Sequence, residues 1–247
     1  MSKTSLVEAI KAFDLDQVRK DLRKNPELKD FHTDRGFNLL QLCCSRPAAD
    51  DRAAAGRQLR LAKWLVREGF DPRVVYMTKP GEDGEADPTP LSLVFIAIAR
   101  AQNNALARFF IEQGAAPMGL FAAAWWGNWE ILEDLVTHGE NINLFVGATQ
   151  LHMAVAVLQR GTEGKPALAR RRLQTVEEFL RLGADPNIPD HRGDTMLHLA
   201  LDRGFDVSFL TLLRRHGANP DVKGKDGRTV RQIAARKRDK RYFNAIA

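Results

Sequence analysis

The sequence predicts an all-α protein built from stacked helix-turn-helix repeats, and a fixed spacing of matched residues is the main reason. Thr195 and Thr229 lie 34 residues apart, and the Gly-Ala pairs at 183–184 and 217–218 repeat at the same interval. A period between about 20 and 50 residues is typical of solenoid proteins, in which each repeat packs on its neighbours. The spacing therefore indicates an extended recognition surface rather than an enclosed catalytic pocket.

The clearest repeat covers residues 190–222. Its first residues, DHRGDT, are turn formers, and Gly193 can adopt the positive φ that such a turn requires. Thr195 then begins a predicted helix, Gly204 interrupts it, and a second apolar helix ends at Gly217. One helix pair of this length cannot bury its apolar face alone, so we expect neighbouring repeats to stack.

Further copies cover nearly the whole chain, with a polar-faced repeat at its start and a truncated basic repeat at its end. Atypical terminal repeats shield the open faces of a solenoid from water. We therefore predict one domain, 1–247, of about seven repeats. The predicted boundaries are 4–33 for the N-terminal cap, then 34–78, 85–117, 118–145, 146–189 and 190–222, and 223–247 for the C-terminal cap.

The segments TMLHLA, TQLHMA and TPLSLV, each accompanied by a Gly-Ala-Asp/Asn element, resemble the ankyrin repeat. The resemblance implies an ankyrin-repeat solenoid with short hairpin turns, which presents a concave groove and a row of turns to protein partners. It also implies structural roles for His152 and His198, whose imidazoles would form hydrogen bonds between adjacent turns. The alternative for these two histidines is metal binding or catalysis.

Two repeats are longer than the clearest copy, and their extra residues fall between the two helices. The inserts are Ser45–Gln58 and Gln159–Arg172, and both are rich in Ala and Arg. Since these residue types favour helix, we expect the inserts to lengthen helices as well as loops. We also expect both inserts to tolerate shortening, because a change in loop length alters the free energy of loop closure only slightly.

The composition favours an intracellular protein. No apolar run approaches the ~20 residues of a membrane-spanning helix, and the N-terminal segment is charged and amphipathic, which predicts a soluble, cytoplasmic protein without a signal peptide. The two cysteines, Cys43 and Cys44, are adjacent on a helical pattern. This placement favours two small buried residues over a disulfide framework, and a redox pair is the alternative.

The sequence contains no pattern that indicates catalysis. It lacks a Gly-rich phosphate loop, an HExxH or CxxC pair and a Gly-x-Ser-x-Gly nucleophile turn. Because the repeats occupy the chain, no stretch remains for a separate catalytic domain. We therefore predict that the protein is not an enzyme and has no catalytic residue, cofactor or metal ion.

The unusual feature is a pair of adjacent tryptophans, Trp125 and Trp126, directly before Gly127. In ankyrin repeats these two positions face the groove. Neighbouring residues lie about 100° apart around a helix axis, so at least one indole should be exposed. Exposed tryptophan is a common anchor of protein-binding hot spots.

The next turn adds three apolar residues where polar residues are usual, namely Leu144, Phe145 and Val146. An apolar patch generally marks an interaction site. The alternative is structural, because the repeat beginning at Met118 lacks its hairpin and Trp125 or Phe145 could fill the gap. The predicted partner-binding residues are Trp125, Trp126, Leu144, Phe145, Met153, His191, Arg192, Asp202 and Arg203.

Positive charge is concentrated in the last repeat. From Lys223 onward, nine basic residues and two aspartates give a net charge of +7, whereas the rest of the chain carries −1. Clustered Arg and Lys can mark a nucleic-acid site or contact with an anionic membrane, but a terminal repeat also needs a polar outer face. We favour a solvated cap and a monomer with a protein partner. The alternatives are a nucleic-acid-associated protein and an effector that a bacterium delivers into another cell.

Overall fold

Pairs of helices follow one another along the chain in this computed structural model, which describes residues 3–48, 51–78, 90–237 and 239–246. The chain divides into two compact units. The N-terminal compact unit comprises Met1–Ala122 with Thr137–Glu140, and the C-terminal compact unit comprises Ala123–Val136 with Asn141–Ala247. The succession of helix pairs confirms the predicted all-α fold of repeated helix-turn-helix units, whereas the organisation as one domain stays a prediction.

The N-terminal compact unit combines short helices with one pair of two-residue strands. Its helices are α1 (Lys3–Lys11), α2 (Leu15–Lys24), α3 (Leu39–Cys43), α4 (Arg52–Arg67), α5 (Leu93–Ile96) and α6 (Asn104–Glu112), with a 3-10 helix at Pro26–Asp30 and a π-helical turn at Ala97–Ala101. Strands β1 (Tyr76–Met77) and β2 (Pro90–Leu91) are antiparallel, with Tyr76 opposite Leu91. The predicted start of the third repeat, residue 85, lies outside the described residues.

The first insert is tied into the core of its compact unit. Gln58, its last residue, is buried, and its Nε2 donates hydrogen bonds to the carbonyl oxygens of Cys43 at 2.8 Å and Arg46 at 3.2 Å. The Oε1 of Gln58 accepts a hydrogen bond from Nδ2 of Asn103 at 3.0 Å. The insert lengthens α4, as the sequence predicts. These buried bonds run counter to the expectation that the whole insert tolerates shortening.

Cys43 and Cys44 are buried, as the sequence predicts. Burial raises the pKa of the Cys43 thiol to about 12 and the pKa of the Cys44 thiol well above its usual value. The thiolate is the reactive form of cysteine, so these pKa values favour a packing role.

The repeat at 118–145 begins its first helix without the threonine that opens other repeats. The helix is α7 (Leu120–Trp126), and the carboxylate of Glu140 accepts hydrogen bonds from the backbone N–H groups of Gly119 at 2.8 Å and Leu120 at 3.0 Å. These donors have no partner within the helix, so Glu140 takes over the capping function. Burial of the carboxyl raises the pKa of Glu140 to about 7, although the two N–H donors lower it.

The remaining helices belong to the later repeats. They are α8 (Leu132–Thr137), preceded by a 3-10 helix at Trp129–Ile131, α9 (Gln150–Val157), α10 (Pro166–Arg181), α11 (Met196–Asp202), α12 (Val207–Arg215), α13 (Val230–Ala235) and α14 (Arg241–Ile246). Helix α9 packs on α10, and α11 packs on both α12 and α13. Trp129, the first residue of this 3-10 helix, is half-buried.

The two histidines to which the ankyrin resemblance assigns structural roles, His152 and His198, form hydrogen bonds at the N-termini of their own helices. Nδ1 of His152 lies 2.8 Å from Oγ1 of Thr149, and Nδ1 of His198 lies 2.9 Å from Oγ1 of Thr195. Nε2 of His198 also reaches the carbonyl oxygen of Arg228 at 3.1 Å, which is the bond between adjacent turns that the resemblance implies.

The equivalent contact of His152 is weaker: its buried Nε2 has no well-formed hydrogen bond among the described residues and interacts only with the backbone of Asp194, the residue before Thr195. Burial lowers the pKa of the His152 imidazole, so the neutral ring is favoured there. The two histidines therefore share one role at their own helix N-termini and differ in how they connect to the next repeat.

Candidate protein-binding surface

The tryptophan pair closes α7. Trp125 and Trp126 are the last two residues of the helix, and Gly127 follows with a φ of +69° that ends it. Ala123 and Ala124 are buried, whereas the indoles of Trp125 and Trp126 are 38% and 43% exposed. The prediction that at least one indole is exposed is confirmed, and the exposure of Trp125 argues against its use as a gap filler.

The second insert supports the end of α7. Nη2 and Nε of Arg171 donate to the carbonyl oxygens of Trp126 at 3.0 Å and Gly127 at 3.2 Å. A Cβ atom added at Gly127 would lie 3.0 Å from Cγ of Arg172, so a side chain there would crowd α10. A cation beside the last carbonyl groups of a helix is electrostatically favourable. The insert thus holds the backbone that carries the two indoles.

A second arginine of the insert binds the end of α9. Nη1 of Arg172 donates to the carbonyl oxygens of Val157 and Arg160. Burial, followed by the positive charges of Arg160 and Arg171, lowers the pKa of the Arg172 guanidinium. The insert was expected to tolerate shortening, but the hydrogen bonds of Arg171 and Arg172 make its last residues part of the framework.

A third guanidinium lies over an indole. The Cζ atom of Arg160 is 5.9 Å from the ring centroid of Trp125, within the range of a cation–π interaction. No salt bridge to Arg160, Arg170 or Arg171 occurs among the described residues. The tryptophan pair therefore lies beside positive charge that the protein itself does not neutralise.

Hydrogen bonds of Asn143 hold the backbone at the start of the apolar turn that precedes α9. Nδ2 of Asn143 donates to the carbonyl oxygen of Gly183 at 3.3 Å, and Oδ1 of Asn143 accepts from the backbone N–H of Asp185 at 2.8 Å. Leu144 and Phe145 remain 47% exposed, so neither side chain fills a gap in the core. The backbone of this turn is therefore held by hydrogen bonds, while its apolar side chains are exposed.

The other predicted partner-binding residues lie further along the C-terminal compact unit. Met153 on α9 is half-buried, and His191, Arg192, Asp202 and Arg203 are exposed. Nη1 of Arg203 donates to the carbonyl oxygen of Ala156 at 3.2 Å, so this side chain contributes to the framework. The structure keeps all nine predicted residues in one compact unit, while their use by a partner stays a prediction.

Sequence reasoning missed two side chains that adjoin the tryptophans, Arg160 and Arg171. The positive charge of the insert is evident from the sequence. The packing of α10 against the end of α7 is not, because it depends on tertiary structure. The N-terminal compact unit also exposes apolar side chains that were not predicted. These are Val74, Val75, Met77, Met118 and Phe121.

The described residues contain no group of three or more His, Cys, Asp or Glu side chains that could hold a metal ion. Within these same ranges, no helix has the length and apolar character that crossing a membrane requires.

Comparison with known proteins identifies the repeat. The family model for the ankyrin repeat matches residues 192–225. Neurogenic locus notch homolog protein 4 of Homo sapiens is 32% identical over 126 residues, which are 50% of this chain and 6% of that protein. Ankyrin repeat protein L92 of Acanthamoeba polyphaga mimivirus is 37% identical over 57 residues, 23% of this chain and 14% of that protein. The chain thus spans a small fraction of either relative.

Two solved structures share the fold. The ankyrin repeat domain of Bcl-3, described as a unique member of the IkappaB protein family, superposes with a TM-score of 0.69 at 18% identity, covering 99% of this chain and 98% of that one. An ankyrin repeat domain from Acinetobacter baumannii AYE gives a TM-score of 0.62 at 24% identity, covering 88% of this chain and 100% of that one. At these identities the likeness is one of fold.

Proposed function

Because the chain is an ankyrin-repeat protein, we propose that it is a protein-binding module whose partner contacts Trp125 and Trp126 together with Leu144 and Phe145. The observation that carries this proposal is the exposure of four large apolar side chains on backbone that is held by hydrogen bonds. Ankyrin repeats generally mediate protein–protein interaction, and a group of large exposed apolar side chains commonly marks an interaction site. An adaptor, an inhibitor and a regulatory scaffold all fit this role.

The proposed mechanism is rigid presentation. The carbonyl groups at the end of α7 are bound by Arg171, and the base of the apolar turn is bound through Asn143. A partner that meets a surface ordered in advance loses less conformational entropy on binding. Tryptophan supplies a large contact area from few rotatable bonds, which suits it to a hot spot.

The contacts of the last repeat support a capping role over the nucleic-acid alternative. Its ion pairs join Lys225 to Asp194, Arg228 to Asp226, Arg231 to Asp221 and Arg241 to Asp239. Lys237 binds the carbonyl oxygen of Leu201 and lies over the ring of Tyr242. Arg238 lies outside the described residues. Cytoplasmic location and monomeric state stay predictions.

The test is a comparison of two apolar double variants. W125A/W126A removes both indoles, and V74A/M77A removes exposed apolar side chains from the N-terminal compact unit. Proteins retained by the wild type and by V74A/M77A, but lost from W125A/W126A, are identified by quantitative mass spectrometry and then titrated in purified form. We expect at least about a hundredfold weaker binding for W125A/W126A. An equal Kd for both double variants would refute the proposal.

A further inference from the structure

We infer that the partner segment recognised at the tryptophan pair is acidic, with an apolar side chain that packs on Trp125 and Trp126 and carboxylates that pair with Arg160 and Arg171. This inference rests on the proposed function and specifies the chemistry of the partner. It starts from the charge that surrounds the two indoles.

The insert Gln159–Arg172 carries five basic residues and one acidic residue, a net charge of +4. Two of the basic side chains lie beside the indoles: Arg160 is over the ring of Trp125, and Arg171 donates to the carbonyl oxygen of Trp126. Neither forms a salt bridge within the described residues. The positive charge beside the indoles is therefore available to an external anion.

The geometry of Arg171 suits a carboxylate. A guanidinium has five N–H donors, and Arg171 uses its Nε and one N–H of Nη2 on the carbonyl oxygens of Gly127 and Trp126. These two bonds fix the plane of the guanidinium while Nη1 keeps its donors. A fixed guanidinium loses little conformational entropy when a carboxylate binds it.

Like charges crowd this corner of the molecule. The pKa of Arg172 is lowered by burial and by the nearby charges of Arg160 and Arg171, so both of these guanidinium groups lie close enough to repel that of Arg172. An anion placed between Arg160 and Arg171 would relieve that repulsion, and the adjacent indoles would strengthen the attraction by excluding water. This surface therefore favours a ligand that carries both an apolar group and an anionic group.

A nucleic-acid strand fits this surface less well. Single-strand binding requires a positive groove that follows the phosphate backbone over several nucleotides. Asp202 and Asp206, on the next repeat, are exposed and negatively charged, and Arg203 already binds the carbonyl oxygen of Ala156. The positive charge is therefore local to the indoles, as a short peptide with a few carboxylates requires.

The first experiment selects ligands without presupposing a sequence. A display library of random 12-residue peptides is selected on the wild-type protein and counter-selected on W125A/W126A. We expect the peptides that depend on the tryptophans to be enriched in Asp and Glu around Leu, Ile or an aromatic residue. Tryptophan-dependent peptides that are neutral or basic would overturn the inference and leave the proposed function standing. Failure to obtain any tryptophan-dependent peptide would count against both.

The second experiment measures the charge contribution directly. The best selected peptide and its fully amidated Gln/Asn version are titrated against the wild type, R160E and R67E. Arg67 is exposed at the end of α4 and has no ion pair among the described residues, so R67E matches the change in net charge. R160E should weaken the acidic peptide at least about tenfold and R67E less than about twofold.

The amidated peptide should bind the wild type more weakly than the acidic peptide and should be insensitive to R160E. Equal affinities of the acidic peptide for R160E and R67E would overturn the inference, provided that both variants unfold at the wild-type temperature. A 12-nucleotide oligo(dT) is titrated in parallel. Binding of this probe that is tighter than the acidic peptide and lost in W125A/W126A would replace the peptide with single-stranded nucleic acid.

Discussion

The repeats at 118–145 and 190–222 use the same helix for different purposes. In the second, Thr195 and His198 cap the start of α11, and Asp202 and Arg203 end it before Gly204. In the first, Glu140 supplies the cap of α7 from 20 residues further along the chain, and two tryptophans occupy the positions of Asp202 and Arg203. The regular repeat connects its neighbours through polar contacts, whereas the irregular one presents apolar surface.

Both helices nevertheless end against a basic side chain from a later part of the chain. Arg171 binds the carbonyl oxygen of Trp126, and Lys237 binds that of Leu201 at 3.4 Å. The support of the helix end is thus retained where the exposed residues differ. This comparison indicates that the exposed residues can be exchanged between the two repeats without loss of the framework.

Exchange of those residues is expected to give the largest effect. W125D/W126R gives the irregular repeat the exposed residues of the regular one, and it should weaken the partner at least about a hundredfold because both anchors are lost. The thermal midpoint should stay within a few degrees of the wild type, because Arg171 binds backbone atoms. The Kd and the midpoint are measured on the same preparations. A midpoint that falls steeply would show that the indoles stabilise the fold.

The two capping histidines offer the next contrast. H198A removes the bond to Arg228 as well as the cap at Thr195, and we expect about 2–3 kcal/mol of destabilisation from the unpaired carbonyl group and the cavity. H152A removes the cap at Thr149 and only a weaker contact of Nε2 with the backbone of Asp194, so about 1–2 kcal/mol is expected. Urea denaturation gives both free energies of unfolding. Equal losses would show that the well-formed bond from His198 to Arg228 stabilises the fold no more than the weaker contact of His152 does.

Gly127 and Gly204 allow a matched test of crowding, because both have a φ of +69°. An added Cβ at Gly204 meets nothing within 4 Å, whereas at Gly127 it lies 3.0 Å from Cγ of Arg172. G204A should cost about 1 kcal/mol for the left-handed backbone, and G127A should cost up to about 1 kcal/mol more. The free energy of unfolding of each variant is measured, and the difference between the two tests whether the contact with Arg172 adds to the loss. A smaller loss for G127A would mean that α10 moves freely away from α7.

The sequence was most informative where a repeat is regular. Thr195, His198 and Gly217 predict the helix boundaries of 190–222 because each residue acts locally, through a cap or a positive φ. The use of Glu140 as a cap could not be predicted, since it depends on a side chain 20 residues from the helix start. The positions of Arg160 and Arg171 beside the tryptophans could not be predicted either. Tertiary packing, rather than the residues of the insert, determines the path of the insert.

The smallest expected effect concerns the cap of the irregular repeat. The pKa of Glu140 is raised to about 7 by burial, from an ordinary value of about 4.5. Between these values the folded protein binds more protons than the unfolded chain, so its stability should fall as pH rises through this window and level off above it. The full shift corresponds to about 3 kcal/mol, and water around the half-buried carboxyl should reduce the change to about 1 kcal/mol.

Glu140→Gln keeps an oxygen for the N–H groups of Gly119 and Leu120 but does not titrate. The difference in unfolding free energy between wild type and this variant should therefore favour the wild type more at pH 5 than at pH 8. Glu112→Gln, at an exposed site at the end of α6, reports the general effect of removing a negative charge. Urea denaturation at four pH values from 5 to 8 gives the three profiles. A Glu140→Gln profile parallel to the wild type would mean that the backbone N–H groups, rather than burial, control this carboxyl.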